Sequence, residues 1–387
     1  MNICGIIAEF DPFHNGHKYL LEKAIASGTK HIVVAMSGSA VQRGTPAMFD
    51  KYSRAQAAIA NGASLVLEVP APFSCSNAEV FARSGVSALA ALGEGVVSKL
   101  VFGSETADTD LIIRASESAD CLRQSERVKA LLSEGMSYPA AVSAAASEQF
   151  GSEIASVLNS PNSTLALEYC RALRQLAPHI KPSPVKRVGA AHDSSGIDGF
   201  SASGSKIREM IVMGEDVSAL MPTKLENPCL ADRLDKIFLY KLLCADKNEL
   251  LSLPDVDSAL ADRIIKISEK PFSHSDEFLA ACKSRNITAA RLRRLALHLV
   301  LGVKKEDIGS LPYVRILAFN ERGREILAAG EHTLPIDTSL ARLEKSSEAS
   351  ARISLIERRA SQLRAIGTAD GSSVNEYSVP IRMIRDP

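Results

Sequence analysis

Short apolar runs alternate with amphipathic stretches along the first hundred residues of the chain. The apolar runs occupy residues 3–8, 31–36, 64–69 and 99–102. Helical spacing of apolar residues follows these runs at 16–26, 51–61, 77–92 and 108–118. Runs that are apolar on both faces predict strands covered on both sides, and helices between such strands predict a parallel, doubly wound sheet. The predicted fold class is therefore α/β.

The pattern becomes mainly helical after the fourth strand. Helical spacing is found at 127–133, 138–150 and 161–176, and a short strand with two cations is predicted at 185–189. A helix start rich in serine and glycine follows at 201–208. From about residue 223 the pattern is again mainly helical. We therefore predict two domains, an α/β domain at 1–222 and a helical domain at 223–387.

The most informative polar residues lie in the first strand-to-helix turn. His14 and His17 flank Gly16, where the first helix is predicted to begin. The dipole of a helix N-terminus favours an anion, and a glycine lets a phosphate approach the main chain. Histidines three residues apart can share one helix face and donate hydrogen bonds to phosphate as charge develops. The alternative is a capping histidine beside a surface histidine, but the strand-turn-helix setting favours a nucleotide site.

Further polar residues follow the other predicted strands, at the edge where ligands of parallel α/β sheets bind. Each loop could by itself be a plain turn, but together on one edge the loops indicate a site. The serine- and glycine-rich helix start adds hydroxyls and a guanidinium that can contact phosphates. The candidate phosphate or substrate contacts are Ser37, Gln42, Arg43, Lys51, Ser203, Ser205 and Arg208.

Composition restricts the class of protein. The 45 Lys and Arg residues balance 45 Asp and Glu residues, so total charge does not indicate nucleic-acid binding. The seven cysteines are scattered without a Cys-x-x-Cys pair, which is typical of reduced thiols and predicts no metal site. No signal-like segment precedes the first strand, and no uncharged run is long enough to span a membrane. We expect a cytoplasmic protein with no membrane partner.

The stretch from Lys283 to Lys305 is locally basic, with seven cations and no acid. The spacing of Leu292, Leu295 and Leu299 predicts a helix with one buried side and arginines on the outer side. Such a surface suits the phosphates of RNA, although a run of charges is often only a solvated helix face. The candidate RNA contacts are Lys283, Arg285, Arg291, Arg293 and Arg294.

A set of motifs occurs in a fixed order from residue 1 to beyond Gly323. It comprises Glu9-Phe10-Asp11-Pro12-Phe13-His14-Asn15-Gly16-His17, Met36-Ser37-Gly38, Val41-Gln42-Arg43-Gly44, Phe102-Gly103-Ser104-Glu105, Pro161-Asn162, Lys186-Arg187 with His192-Asp193, and Pro312-Tyr313-x-Arg315. In this combination the chain resembles the tRNA-methionine cytidine acetate ligases of bacteria. The resemblance is more specific than the two histidines, which a whole nucleotidyltransferase superfamily shares.

The resemblance implies a Rossmann-like nucleotidyltransferase domain followed by a helical, tRNA-binding domain. Acetate would attack the α-phosphorus of ATP, giving acetyl-adenylate and pyrophosphate. The N4 amine of the wobble cytidine of elongator methionine tRNA would then take the acetyl group. His14 and His17 would be catalytic, and Mg²⁺ would accompany ATP. The ATP contacts implied by the resemblance are Ile7, Ala8, Glu9, Phe10, Asp11, Pro12, Phe13, His14, Asn15, Gly16, His17, Lys18, Tyr19, Leu20, Gly103, Asn162, Lys186 and Arg187.

Two positions depart from the family pattern. Asp11 stands where the family usually has asparagine, and Ser39-Ala40 replaces an Asn-Phe pair. A carboxylate beside phosphates is unfavourable unless it is paired or shares a magnesium ion. We therefore expect the substitution at Asp11 to alter the contact of this residue with ATP, and Ser39-Ala40 to alter the shape of the acetate or cytidine pocket.

Two other functions remain as alternatives. One is a nucleotidyltransferase that acts on a small phosphate ester with the same two histidines. The other is a tRNA-binding module with a vestigial nucleotide site. The basic stretch argues against the first alternative, and the intact His14, Gly16 and His17 argue against the second.

Overall fold

The computed structural model describes residues 2–160, 163–187, 202–284, 287–371, 374–381 and 383–384 of the 387-residue chain. The strands in these ranges are β1 Ile3–Ala8, β2 His31–Ser37, β3 Ala40–Val41, β4 Thr45–Pro46, β5 Leu65–Val69, β6 Lys99–Ser104, β7 Lys181–Lys186, β8 Val314–Phe319 and β9 Ile336–Asp337. The first nine α-helices are α1 Asn15–Ala26, α2 Lys51–Ala60, α3 Ala78–Ala90, α4 Thr109–Arg123, α5 Glu126–Ser133, α6 Tyr138–Phe150, α7 Ser152–Asn159, α8 Ser163–Leu176 and α9 Gly204–Val212. The later helices are α10 Asp235–Cys244, α11 Lys247–Ser252, α12 Ser258–Ser268, α13 Ser275–Cys282, α14 Ala289–Leu301, α15 Glu321–Ala328, α16 Leu340–Glu344 and α17 Glu348–Ile366.

The main sheet has the order β7-β6-β1-β2-β5-β8-β9. Neighbouring strands from β7 to β5 are parallel, which confirms the predicted α/β class with a mostly parallel sheet. The chain runs outward from β1 through β2 to β5, then returns to build β6 and β7 on the other side of β1. The order reverses between β1 and β6, and ligands of such sheets bind at the carboxyl ends of the strands beside that reversal.

The sheet is covered on both faces, as the uninterrupted apolar runs predict. Successive side chains of a strand point to opposite faces. Ile7 belongs to the hydrophobic core on one face, whereas Ile6 belongs to the core on the other. The same alternation separates Val33 from Val34 in β2. Both faces exclude water, so polar residues of these strands gather at the strand ends.

The helices α10 to α14 enclose a separate hydrophobic core. Leu292, Leu295 and Leu299 of α14 all lie in this core, which confirms the buried side predicted for that helix. After α14 the chain returns to the first sheet, where β8 pairs antiparallel with β5. A domain boundary at residue 222 stays a prediction, because the part after it contains both the separate helical core and two strands of the main sheet.

Two of the longer strands differ from the sequence prediction, and the two-residue strands β3, β4 and β9 were not predicted. The strand expected at 185–189 lies at Lys181–Lys186, and two prolines, Pro182 and Pro184, obscured its start. Proline is tolerated there because β7 is an edge strand. The buried strand β8 was missed within the mainly helical C-terminal part, since it follows a long helical pattern and contains a charged residue, Arg315.

A buried charge cluster joins the C-terminal part to the sheet. The Nζ of Lys51 lies 2.6 Å from Oε1 of Glu68, 3.0 Å from Oε1 of Glu357 and 3.0 Å from Oε2 of Glu376. Arg315 adds a contact of 2.5 Å to the same Glu376 oxygen. Burial raises the pKa of Glu68, whereas Lys51 and Arg315 outweigh the burial of Glu376 and lower its pKa.

Glu357 is the member of this cluster that reaches the loops of the sheet edge. Its Oε1 accepts the N–H of Ser39 at 2.8 Å, and its Oε2 accepts the N–H of Ala71 at 2.7 Å. The carboxylate on α17 thereby ties the loop after β2 to the loop after β5. The described residues include no helix long and apolar enough to cross a membrane.

We predict that Glu357→Ala destabilises the protein by about 3–5 kcal/mol, because the substitution removes one of the three carboxylates around the buried Lys51 and leaves two buried N–H groups without their acceptor. The measurement is the free energy of unfolding by chemical denaturation. Glu348→Ala removes an exposed glutamate from the first turn of the same helix and should cost less than about 1 kcal/mol. Equal losses in the two variants would contradict a role for Glu357 in joining the loops.

Candidate functional site

The histidine turn lies at the carboxyl end of β1, beside the reversal of strand order. His14 is the N-cap of α1, and its Nδ1 accepts the N–H of Gly16 at 3.1 Å. The Nδ1 of His17 accepts the N–H of His14 at 3.3 Å. The two imidazole rings stack with their centroids 3.8 Å apart. His14 does cap the helix, but the same bond also fixes its ring beside that of His17.

These hydrogen bonds decide which nitrogen of each imidazole carries a proton. Because both Nδ1 atoms accept an N–H, each neutral ring keeps its proton on Nε2. Burial lowers the pKa of His14 to about 4, and Arg208 and Arg187 contribute to the same shift. Burial also lowers the pKa of His17 well below its usual value, with further contributions from His14, Arg187 and Arg43. At neutral pH both rings are uncharged Nε2–H donors.

Gly16 is required by the capping geometry. A β-carbon at this position would lie 2.9 Å from Cε1 of His14, which is closer than a carbon atom can approach without displacement. The glycine therefore lets the imidazole fold back over the first turn of α1.

A second helix N-terminus lies beside the first. The helix α9 begins at Gly204, and its N-cap Ser203 accepts the N–H of Lys206 at 3.2 Å. A β-carbon built on Gly204 would lie 3.6 Å from Nε2 of His14. The N-termini of α1 and α9 therefore lie close together, and the positive ends of two helix dipoles favour an anion beside them.

Arg208 connects α9 to the histidine turn. Its Nη1 donates to the carbonyl oxygen of Asp11 at 2.6 Å, and its Nη2 donates to Oγ of Ser205 at 2.9 Å. Burial lowers the pKa of Arg208 to about 10, and the charge of Arg43 adds to this shift. The guanidinium remains charged at neutral pH, next to the neutral ring of His14.

Arg43 approaches from the hairpin formed by β3 and β4. Its Nη2 lies 2.5 Å from Oε2 of Glu9 and 3.4 Å from Oδ2 of Asp11. The main-chain N–H of Gln42 donates to the other oxygen of Glu9 at 2.7 Å. Glu9, at the end of β1, thereby holds the tip of this hairpin against the histidine turn.

Lys186 ends β7 on the other side of the site, and Arg187 follows it. The N–H of Arg187 donates to the carbonyl oxygen of Ser104 at 3.0 Å. A β-carbon on Gly103 would lie 3.1 Å from Nε of Arg187, so the glycine leaves room for this side chain to cross the end of β6. Both cations are exposed. The predicted residues Gly103, Lys186 and Arg187 thus lie together at one sheet edge.

The departure at Asp11 has a structural explanation. The Asp11 carboxylate is buried, and its Oδ1 accepts the N–H of Met48 at 2.7 Å while its other oxygen faces Arg43. It is therefore paired within the protein. An ATP contact from Asp11 stays a prediction, and with this pairing the main chain is the part of the residue available for it.

Arg54 was not singled out from the sequence, yet it organises the site. This buried guanidinium donates to the carbonyl oxygens of Glu9 at 2.6 Å and Phe49 at 3.1 Å, and also to that of Gly38. It therefore joins the ends of β1 and β2 to the start of α2. An arginine on a helical pattern has no local sequence signal for bonds to carbonyls at the ends of β1 and β2.

Several candidate residues lie in the interior around the turn. Ile7, Phe10 and Phe13 are buried, so contacts from them to a ligand would use the main chain. Ser37 is buried at the end of β2, and its hydroxyl has no partner among the described residues. Lys51 is engaged by three carboxylates, so a phosphate contact from it would require one of those bonds to break. Asn162 and Arg285 lie outside the described residues.

The outward orientation predicted for the arginines of α14 is wrong. Arg291, Arg293 and Arg294 are only partly exposed. Arg291 donates to the carbonyl oxygen of Asp255 at 2.7 Å, and Arg293 donates through Nε to that of Arg43 at 3.3 Å. The arginines point towards neighbouring loops because α14 packs on the β3–β4 hairpin as well as on its own core. Lys283 is exposed, and a tRNA contact from any of these residues stays a prediction.

A groove opens beside the end of β6, next to Glu105. It has a volume of about 840 Å³ and lies between α6 and α7, which line it with alanines, serines and Asn159. The groove is adjacent to Ser160, which donates to Glu105 at 2.6 Å. No group of three or more His, Cys, Asp or Glu residues suited to a metal ion occurs in the described part of the chain.

Comparison with known proteins agrees with this geometry. The model of the HIGH Nucleotidyl Transferase family matches residues 1–375. The chain is 35% identical to the tRNA(Met) cytidine acetate ligase of Syntrophotalea carbinolica, over 89% of this chain and 86% of the relative. It is 37% identical to the protein of the same name from Clostridium perfringens, over 84% of this chain and 86% of the relative.

Solved structures resemble the whole chain. The crystal structure of Thermotoga maritima TmcAL bound with alpha-thio ATP superimposes with a TM-score of 0.87 at 25% identity, and the match covers 100% of both chains. The apo crystal structure of the same protein gives a TM-score of 0.89, also at 25% identity and full coverage.

We predict that in the protein without ATP the imidazole of His14 titrates near pH 4, and that ATP raises this pKa because phosphate charge stabilises the imidazolium. The folded-state pKa lies below the unfolded value, so the unfolded chain binds protons more tightly. Stability is therefore present above about pH 6.5 and is lost as the pH falls towards 4. Histidine signals followed by NMR measure the pKa directly, and His14→Gln identifies the signal. A pKa near 6.5 without ATP would contradict the account of this site.

Proposed function

The chain belongs to the HIGH nucleotidyl transferase family and, within it, to the tRNA(Met) cytidine acetate ligases, and we propose from this premise that the β1–α1 turn activates acetate with ATP. The observation that carries the proposal is the convergence of two neutral Nε2–H donors, two helix N-termini and three guanidinium groups on one space. This arrangement is complementary to a triphosphate whose charge is redistributed during nucleotidyl transfer. The product is N4-acetylcytidine at the wobble position of elongator methionine tRNA.

In the first step an oxygen of acetate attacks the α-phosphorus of ATP. The new bond joins this oxygen to phosphorus, the bond between the α- and β-phosphates breaks, and pyrophosphate leaves with its electron pair. His14 and His17 donate from Nε2 to phosphate oxygens, and neither acts as a nucleophile. Arg43, Arg187 and Arg208 offset the charge on the pyrophosphate. Mg²⁺ would enter with ATP, held mainly by the phosphates and water.

In the second step the N4 amine of cytidine attacks the acetyl carbon of acetyl-adenylate. The amide bond forms, AMP leaves, and the amine loses one proton. The adenylate would remain at the edge of the sheet with its phosphate at the histidine turn. The groove beside Glu105, just after the end of β6, offers room for the nucleoside half.

The helical part at 223–387 is the proposed tRNA-binding region. Lys283 is an exposed cation of this region, and Arg285 lies two positions further along the sequence. Arg291, Arg293 and Arg294 belong to the same basic stretch, but the bonds of Arg291 and Arg293 to neighbouring carbonyls leave these two less free to bind a phosphate. RNA binding by this region would release counterions and therefore weaken with salt.

Acetate-dependent exchange of labelled pyrophosphate into ATP, measured without RNA, tests the first step. We predict that exchange requires acetate and survives in the absence of tRNA, because the adenylate forms before the acceptor reacts. Exchange that depends on a small phosphate ester would instead identify the alternative nucleotidyltransferase. Binding of tRNA without any binding of ATP would identify an RNA-binding module.

The same assay tests the two histidines. His14→Ala and His17→Ala should each lower the exchange rate by roughly a hundredfold or more, which is the scale for loss of one charge-stabilising donor, with a smaller change in ATP affinity. His332→Ala changes an exposed histidine outside the site and serves as the control. A variant at position 14 or 17 with near-normal exchange would reduce that histidine to a structural cap.

A further inference from the structure

The Gln42–Gly44 turn is held from two sides. On its inner side, Glu9 accepts the N–H of Gln42 at 2.7 Å and pairs with the guanidinium of Arg43. On its outer side, Nε of Arg293 donates to the carbonyl oxygen of Arg43 at 3.3 Å. The turn therefore connects the end of β1 to α14, a helix that otherwise belongs to the separate helical core.

Gly44 brings the main chains of the turn and α14 into direct contact. Its φ of +85° lies in the left-handed region, where glycine is favoured. A β-carbon at this position would lie 2.4 Å from the main-chain nitrogen of Arg294 and 2.7 Å from the carbonyl carbon of Arg293. No side chain fits between the two backbones, so a movement of α14 relative to the sheet would move the turn.

The position of Arg43 is sensitive to such a movement. Its side chain is long and partly exposed, and its Nη2 is shared between Glu9 at 2.5 Å and Asp11 at 3.4 Å. Its Nε is buried without a partner among the described residues. Fixing the main chain of residue 43 limits the orientations in which its guanidinium can face a ligand. A displacement of a catalytic or binding group by about 1 Å can lower the reaction rate roughly a hundredfold.

We propose that α14 positions Arg43 for the activation of acetate, through the bond from Arg293 and the backbone contact at Gly44. Arg293 is then a positioning residue of the ATP-dependent step, in addition to any contact that it makes with tRNA. The proposal rests on the proposed function, since it assigns a positioning role to Arg293 within that same ATP-dependent step. The proposed positioning also makes the helical part of the chain necessary for a reaction whose only substrates are acetate and ATP.

The test is acetate-dependent pyrophosphate exchange without RNA, using the full-length chain. Arg293→Ala should lower kcat roughly tenfold with little change in the affinity for ATP, because one hydrogen bond that orients Arg43 is lost. Arg293→Lys, which can donate to the same carbonyl oxygen, should restore most of the rate. Gly44→Ala, which forces the two backbones apart, should lower kcat by roughly a hundredfold.

Arg359→Ala is the matched control. Arg359 donates through Nη1 to the carbonyl oxygen of Leu301 at 3.0 Å, so this variant also removes a bond between a guanidinium and α14, but at the other end of the helix. Its exchange rate should stay near that of the unmodified protein. Thermal midpoints measured for all four variants identify any general loss of folding.

The outcomes separate this proposal from the proposed function. No exchange by the unmodified protein would contradict the proposed function itself. Normal exchange by Arg293→Ala without RNA, or equal losses in Arg293→Ala and Arg359→Ala, would overturn the positioning role. A rate that Arg293→Lys does not restore would also overturn it, since the donor to the Arg43 carbonyl would not be the group that matters.

Discussion

The burial of several cationic groups close together at the histidine turn is the constraint on which the rest of the site depends. Burial is the largest cause of the lowered pKa values of Arg208, His14 and His17; the charge of Arg43 adds to the shift of Arg208, and that of Arg187 adds to the shifts of both histidines. A site that stabilises phosphate charge must hold such cations in place before the ligand arrives. The protein therefore needs fixed anions and main-chain dipoles to keep them together.

The surrounding structure supplies these partners without filling the site. The carboxylates of Glu9 and Asp11 pair with the guanidinium of Arg43. The carbonyl oxygen of Asp11 accepts a hydrogen bond from Arg208. The histidines avoid adding charge because burial keeps them neutral, and their Nδ1 bonds leave the remaining proton on Nε2. At greater depth Glu357 and Arg54 fix the loops that carry these residues. The site thus depends on helices that are distant in sequence.

The N-terminal half of the sheet and the histidine turn could be predicted from the sequence, because both depend on local patterns. Uninterrupted apolar runs indicate buried strands, and the spacing of His14, Gly16 and His17 indicates a helix N-terminus. The roles of Arg54 and Glu357 could not be predicted, since their partners are main-chain groups of distant loops. The same reason explains the error at α14: the leucine spacing gave its buried side correctly, but nothing in the sequence reveals that the Gly44 turn covers part of its basic side.

The central claim is that this site makes an acetyl-adenylate whose acetyl group passes to cytidine. Incubation of the purified protein with ATP, isotope-labelled acetate and elongator methionine tRNA, followed by mass analysis of the digested nucleosides, tests the claim most directly. The account predicts labelled N4-acetylcytidine in the wobble position, formed only when both ATP and acetate are present. Unmodified cytidine in the tRNA, from a protein preparation that binds ATP, would contradict it.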